Sequence, residues 1–90
     1  MRHLFVTHRH VPLDRLDDYL VAWTVLRNAT ETAGGHAWVF RGATHEDRFL
    51  EFIEWSDPSA PLEHTSVATA MTQLDGFGAA TESAEWEEAT

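Results

Sequence analysis

The sequence predicts one α+β domain over residues 1–90, in the order β-α-β-β-α-β. Four antiparallel strands make one sheet, and two helices lie on one of its faces. Three observations carry this reading. Ninety residues suit a single domain. Two stretches of helical spacing alternate with stretches of period two. The hairpin from Ala37 to Trp55 has two apolar faces, with Trp38, Phe40, Leu50 and Phe52 on one and Ala37, Val39, Phe49, Ile53 and Trp55 on the other. A sheet apolar on both faces needs cover on both. So short a chain supplies helices for one side only, so the other is expected to meet a second copy, giving a homodimer.

Each element has its own signal. Residues 2 to 11 alternate, with Leu4, Val6 and His8 facing one way and Phe5, Thr7 and Arg9 the other. Pro12 ends this strand because it has no ladder donor. A helical pattern runs from about Leu13 to Ala33. Leu16, Leu20, Trp23 and Arg27 form one inward row, and Tyr19, Trp23, Leu26 and Thr30 the next. Gly34-Gly35 stops the helix. Strands follow at about His36–Gly42 and Arg48–Trp55, joined by a polar turn. A second helix is expected from about Ala60 to Leu74, with Val67, Ala68, Met71 and Leu74 inward. Residues 80 to 89 read as strand or helix, since good helix formers are interleaved with an alternating face. Topology decides for strand, because the first strand lies inside such a sheet and needs a neighbour on each side.

Composition narrows the function. The chain has no cysteine, which rules out disulfides and thiolate chemistry. Its formal net charge is −9 and it contains no lysine. Such a chain repels nucleic acid and anionic membranes, so neither is an expected partner. The start has no apolar run of signal-peptide length, and no stretch approaches a membrane span, so a cytoplasmic location is expected. Phosphate-binding glycine loops and nucleophile elbows are missing as well.

The chemistry-bearing candidates are few. His64 shares helical spacing with Val67, Ala68 and Met71, which puts it on the predicted inner face. An imidazole beside an apolar pocket serves as a general base near neutral pH. A core histidine holding a backbone carbonyl is the plain alternative. Thr7, Arg9, Arg41 and Glu51 interrupt the strand face that carries Phe5, Val39 and Ile53. Buried charge needs a partner, and an Arg41–Glu51 cross-strand pair is the simplest expectation. A free arginine fork in a dry pocket would instead stabilise an enolate or phenolate oxygen, with Arg9 or Arg41 in that role. Trp23 and Trp55 read as core or pocket wall. His8 and His10 stand two apart on one strand face, but His3 has the wrong parity to complete a site, so no metal is expected.

One local pattern adds to this. Phe49-Leu50-Glu51-Phe52-Ile53-Glu54-Trp55-Ser56-Asp57, with His64 about nine residues after Trp55, resembles the antibiotic biosynthesis monooxygenase family. Val11-Pro12 and Gly34-Gly35 are similar to that family too, and the resemblance spans roughly residues 3 to 75. It implies a ferredoxin-like fold that pairs sheet to sheet into a dimeric α+β barrel. It also implies one of several activities, among them cofactor-free oxygenation of aromatic polyketides, quinol oxygenation and haem degradation. The haem-degrading members use an asparagine on the first strand, where this chain has Thr7, and a tryptophan and histidine on the second helix. Here that helix lacks tryptophan, and the second histidine position falls near Thr69. The resemblance therefore points away from haem, and no cofactor is expected.

The expected function is that of a cofactor-free, monooxygenase-like protein acting on a small aromatic phenol, quinol or polyketide. His64 would be the base and Arg9 or Arg41 the anion stabiliser. Thr7, Trp23, Val39, Glu51, Trp55 and Met71 would form the substrate pocket. The alternative is a non-catalytic dimer of the same fold that binds a small hydrophobic ligand or scaffolds. Whether His64 lines a cavity separates the two.

Overall fold

The computed structural model describes residues 1–90. In chain order the elements are β1 (Arg2–His10), α1 (Leu16–Thr32), β2 (His36–Arg41), β3 (Arg48–Ser56), α2 (Thr65–Leu74) and β4 (Ala80–Glu87). All pairings are antiparallel and the strand order is β2-β3-β1-β4. This is the expected ferredoxin-like α+β arrangement, and the last segment is a strand beside β1.

The termini of α1 follow from its sequence. A 3-10 turn, Leu13–Arg15, follows Pro12 and leads into the helix. Gly34 ends it at φ +89°, a left-handed conformation that glycine enters without strain. The Gly35 N–H then donates to the Thr30 carbonyl at 2.9 Å. Of the two rows expected to face inward, Tyr19, Trp23, Leu26 and Thr30 are buried. Leu20 is exposed instead, and so is Arg27. The inward stripe is therefore one row wide, and α1 packs beside α2 and over β2.

The start of α2 differs from expectation. Pro61–Glu63 form a separate 3-10 turn, and His64 is extended at φ −79° and ψ 131° before the helix begins at Thr65. Helical spacing counted back from Met71 therefore breaks at His64. Its side chain is exposed and off the inner face.

The faces of the sheet follow the predicted parity. Phe49, Ile53 and Trp55 are buried under the helices with Ala37. On the other face Trp38 lies opposite Phe52 and Phe40 opposite Leu50. Phe40 meets Phe52 edge to face, with centroids 5.6 Å apart. Nothing in the single chain covers this side, and Trp38, Phe40 and Trp86 are 43%, 57% and 59% exposed. No helix is long and apolar enough to cross a membrane.

Candidate functional site

The helix-covered face of the sheet carries a strip of polar residues in its middle. Thr7 on β1 is directly opposite Glu51 on β3, and Arg9 is the next β1 residue on that face, opposite Phe49. All three are buried. A buried charge is tolerable only when paired and hydrogen-bonded. Arg9 and Glu51 meet that condition. Arg9 Nε donates to Glu51 Oε2 at 2.9 Å, and Nη2 donates to Oε1 at 3.3 Å. Tyr19 on α1 donates its hydroxyl to the same Oε2 at 2.5 Å. Arg9 Nη1 reaches past the strand to Asp75 Oδ1 at 2.8 Å and to the Gly78 carbonyl at 2.6 Å. The guanidinium on β1 is thus held by β3 and the α2–β4 connection, and α1 joins the network through Glu51.

The expected Arg41–Glu51 pair is not formed. Arg41 and Arg9 are both diagonal neighbours of Glu51, one from each flanking strand. β1 is central and lies under the helices, whereas Arg41 ends the edge strand β2 in solvent. Burial makes the Arg9 pairing the stronger one. Arg41 Nε instead donates to the Glu46 carbonyl at 2.9 Å in the β2–β3 turn.

The network fixes two protonation states. Burial holds the Tyr19 hydroxyl far above its ordinary pKa, and the charge and hydrogen bond of Glu51 push the same way against the smaller pull of Arg9. Burial would lower the pKa of Arg9. Its hydrogen bonds and attraction to Glu51 and Asp75 outweigh that and raise it.

Above this strip is a cavity of about 400 Å³ between α2 and the sheet. Arg9, Glu51 and Thr7 form its polar floor. Phe5, Trp23, Leu26, Ile53 and Met71 supply apolar walls. The lining residues Ala68 and Thr72 on α2 and Ala80 and Ser83 on β4 are solvent-exposed, so the mouth lies between that helix and that edge strand. Ser83 Oγ sits 3.5 Å from Thr7 Oγ1, at the limit of a hydrogen bond.

Of the residues expected at the site, Arg9, Thr7, Glu51, Trp23 and Met71 come together here. Others do not. His64 and Arg41 lie outside the lining and are exposed, and Val39 and Trp55 are also outside it. Trp55 is buried and stacks on His3 with centroids 5.3 Å apart. His3 Nε2 lies 3.1 Å from Asp57 Oδ1. His8 and His10 are exposed, and His10 Nδ1 is 3.9 Å from Asp47 Oδ2. No three His, Asp or Glu side chains are grouped closely enough to share an ion.

The sequence reading missed Tyr19, Asp75 and Ser83 as site residues. Tyr19 carried a usable signal, because a tyrosine in an inward helical row needs a buried acceptor for its hydroxyl. Asp75 and Ser83 carried none, since their place depends on how the chain returns after α2.

No protein-family model matches the chain, and no curated protein matches it. Solved structures do. The chain is similar to SnoaB, a cofactor-independent oxygenase from Streptomyces nogalater, at TM-score 0.81 and 13% identity, over 99% of this chain and 94% of that one. It is similar to a candidate antibiotic biosynthesis monooxygenase from Nitrosomonas europaea at TM-score 0.78 and 12% identity, over 98% and 90% of the two chains. Another candidate of that kind, from Chloroflexus aurantiacus, gives TM-score 0.74 and 15% identity, over 100% and 95%. The chain therefore has the antibiotic biosynthesis monooxygenase-like fold.

Proposed function

We propose that this protein binds a small aromatic molecule in the cavity above Arg9 and Glu51, and that it is a cofactor-free, monooxygenase-like enzyme acting on a phenol or quinol. The cavity carries the reading. Its volume of about 400 Å³ suits a molecule of two or three fused rings. Its walls include Trp23 and Phe5 for stacking, and its floor offers oriented donors to an oxygen substituent. The fold likeness supports the oxygenase part, since SnoaB is a cofactor-independent oxygenase of the same architecture.

The chemistry asks little of a protein. A phenol that enters neutral and loses its proton in the cavity is electron-rich enough to react with dioxygen directly. In converting a phenol to a quinone, one oxygen atom of dioxygen becomes the new ring carbonyl and the other leaves as water with the displaced ring hydrogen and the phenolic hydrogen. The residues here would orient the ring, exclude water and present donors to the substrate oxygen. Oxygen uptake with naphthols and naphthalenediols, corrected for autoxidation, tests this. Turnover that disappears on Trp23→Leu and Thr7→Val in variants that keep the native circular dichroism supports the reading, and uptake equal to the blank across the set defeats its enzymatic part.

A second reading is favoured by a specific observation. No histidine lines the cavity, and the fork of Arg9 is held by Glu51, Asp75 and Gly78. A ligand-binding protein without turnover needs neither a base nor a free cation. Ring compounds that bind with no oxygen uptake would select this reading.

The open sheet face supports a further part of the proposal, that two copies pair through it. Trp38, Phe40, Leu50 and Phe52 continue through Val6 and Leu4 to Trp86 as one apolar face, of the kind that marks an interface. A sheet of four strands about 4.8 Å apart and about 20 to 30 Å long presents roughly 500 Å² in projection. Side-chain relief brings that toward the ~800 Å² per partner of a stable interface. Light scattering at micromolar concentration distinguishes dimer from monomer.

A further inference from the structure

We propose that Asp75 sets the charge selectivity of the cavity, so that it takes neutral aromatic molecules bearing a hydrogen-bond-accepting oxygen and refuses the matching carboxylates. The proposal rests on the cavity being the ligand site.

Charge is the first ground. The ionised groups on the cavity lining are Arg9, Glu51 and Asp75, which leaves one net negative charge. Glu51 neutralises Arg9 through two hydrogen bonds, and Asp75 adds a second carboxylate on Nη1. An entering anion thus meets a cation already doubly matched.

Donor count is the second. A guanidinium carries five N–H bonds. Four are engaged, by two bonds to Glu51, one to Asp75 and one to the Gly78 carbonyl. One N–H of Nη2 is left on a side chain that is 4% exposed and lines the cavity. A buried donor without an acceptor is costly, and a ligand carbonyl or ether oxygen would satisfy it without bringing charge. Thr7 offers a hydroxyl beside it.

The helix is the third. Asp75 is the C-cap of α2, and Met71, Thr72 and Leu74 of its last turn line the same space. The C-terminal end of a helix carries partial negative charge. It reinforces the carboxylate against anions, and no cation other than Arg9 faces it from the lining.

Asp75 is at the mouth and its side chain is 60% exposed, so it can be changed without disturbing the core. Asn at this position keeps an oxygen for Arg9 Nη1 and removes the charge. The test compares 2-naphthamide with 2-naphthoate at pH 7 by calorimetry, on native protein, Asp75→Asn and Asp75→Glu. The native protein is expected to bind the amide at least about tenfold more tightly than the carboxylate. Asp75→Asn should bring that ratio below about threefold by tightening the carboxylate alone, and Asp75→Glu should keep it. A native protein that binds the carboxylate as well as the amide overturns the proposal. It would mean that Asp75 swings out and yields Arg9 to the anion. A ratio unmoved by Asp75→Asn overturns it as well, with the discrimination then lying in Glu51. If neither compound binds, the cavity is not a ligand site and the proposal falls with that reading.

Discussion

Removing the Glu51 carboxylate should damage the fold more than any other single change on the sheet floor. Glu51 is 5% exposed and accepts from Arg9 twice and from Tyr19 once. Glu51→Leu fills nearly the same space but leaves a buried guanidinium short of a partner and a buried phenol with no acceptor. Breaking a buried pair from one side costs about 3–5 kcal/mol, and the orphaned hydroxyl overlaps with that cost. A small domain has about 5–15 kcal/mol in all. At about 4–8 °C per kcal/mol for a domain this size, the melting temperature should fall by at least about 12 °C. The cost is electrostatic, so removing the other partners should return most of it. Glu51→Leu with Arg9→Met and Tyr19→Phe should come within about 2 kcal/mol of the native protein, because an apolar replacement of a whole buried network is often near neutral. Urea denaturation followed by tryptophan fluorescence measures both. A single variant that loses less than about 1 kcal/mol, or a triple variant no more stable than the single, would refute the reasoning.

Three further outcomes are expected. The protein has one tyrosine, so phenolate absorbance at 295 nm reports Tyr19 alone. Its pKa is raised on folding, so its contribution to stability is complete below the unfolded value near 10 and is lost as pH climbs above it. Native protein should show no phenolate at about pH 10.5, whereas urea-unfolded protein should be more than half ionised there. Replacing Phe52 with Asp puts a charge in the centre of the open apolar face, and light scattering should then show a monomer or an unfolded chain. His64 is exposed and outside the cavity lining, so His64→Ala should leave urea stability within about 0.5 kcal/mol and ligand binding unchanged.

The parts of this fold that rest on local periodicity could be read before the structure. Alternation placed Phe49, Ile53 and Trp55 on the covered face and Trp38, Phe40 and Phe52 on the open one. Sheet topology, not propensity, identified β4. Periodicity failed at His64 because Pro61 opens a 3-10 turn and the chain then re-extends, which resets the angular count. At the site, parity put Thr7, Arg9 and Glu51 on one face. It could not choose between Arg9 and Arg41 as the partner of Glu51, since both are diagonal to it and only burial separates them. Asp75 was beyond reach for a different reason. Its contact with Arg9 spans 66 positions and depends on where α2 ends, which no local pattern encodes.

That same span bears on the order of assembly. Arg9 is bonded to Glu51, Asp75 and Gly78, which lie 42, 66 and 69 positions further along the chain. Contacts this distant require large loops to close before they give any return, so they form late. β1 is made first by the ribosome, yet it cannot take its place until β3 arrives on one side and β4 on the other. A nascent chain that has finished α2 still lacks Ala80 and Ser83, and so lacks the β4 side of the cavity mouth. The cavity is therefore complete only when nearly the whole chain is in position, and a molecule that occupied it would read out complete folding.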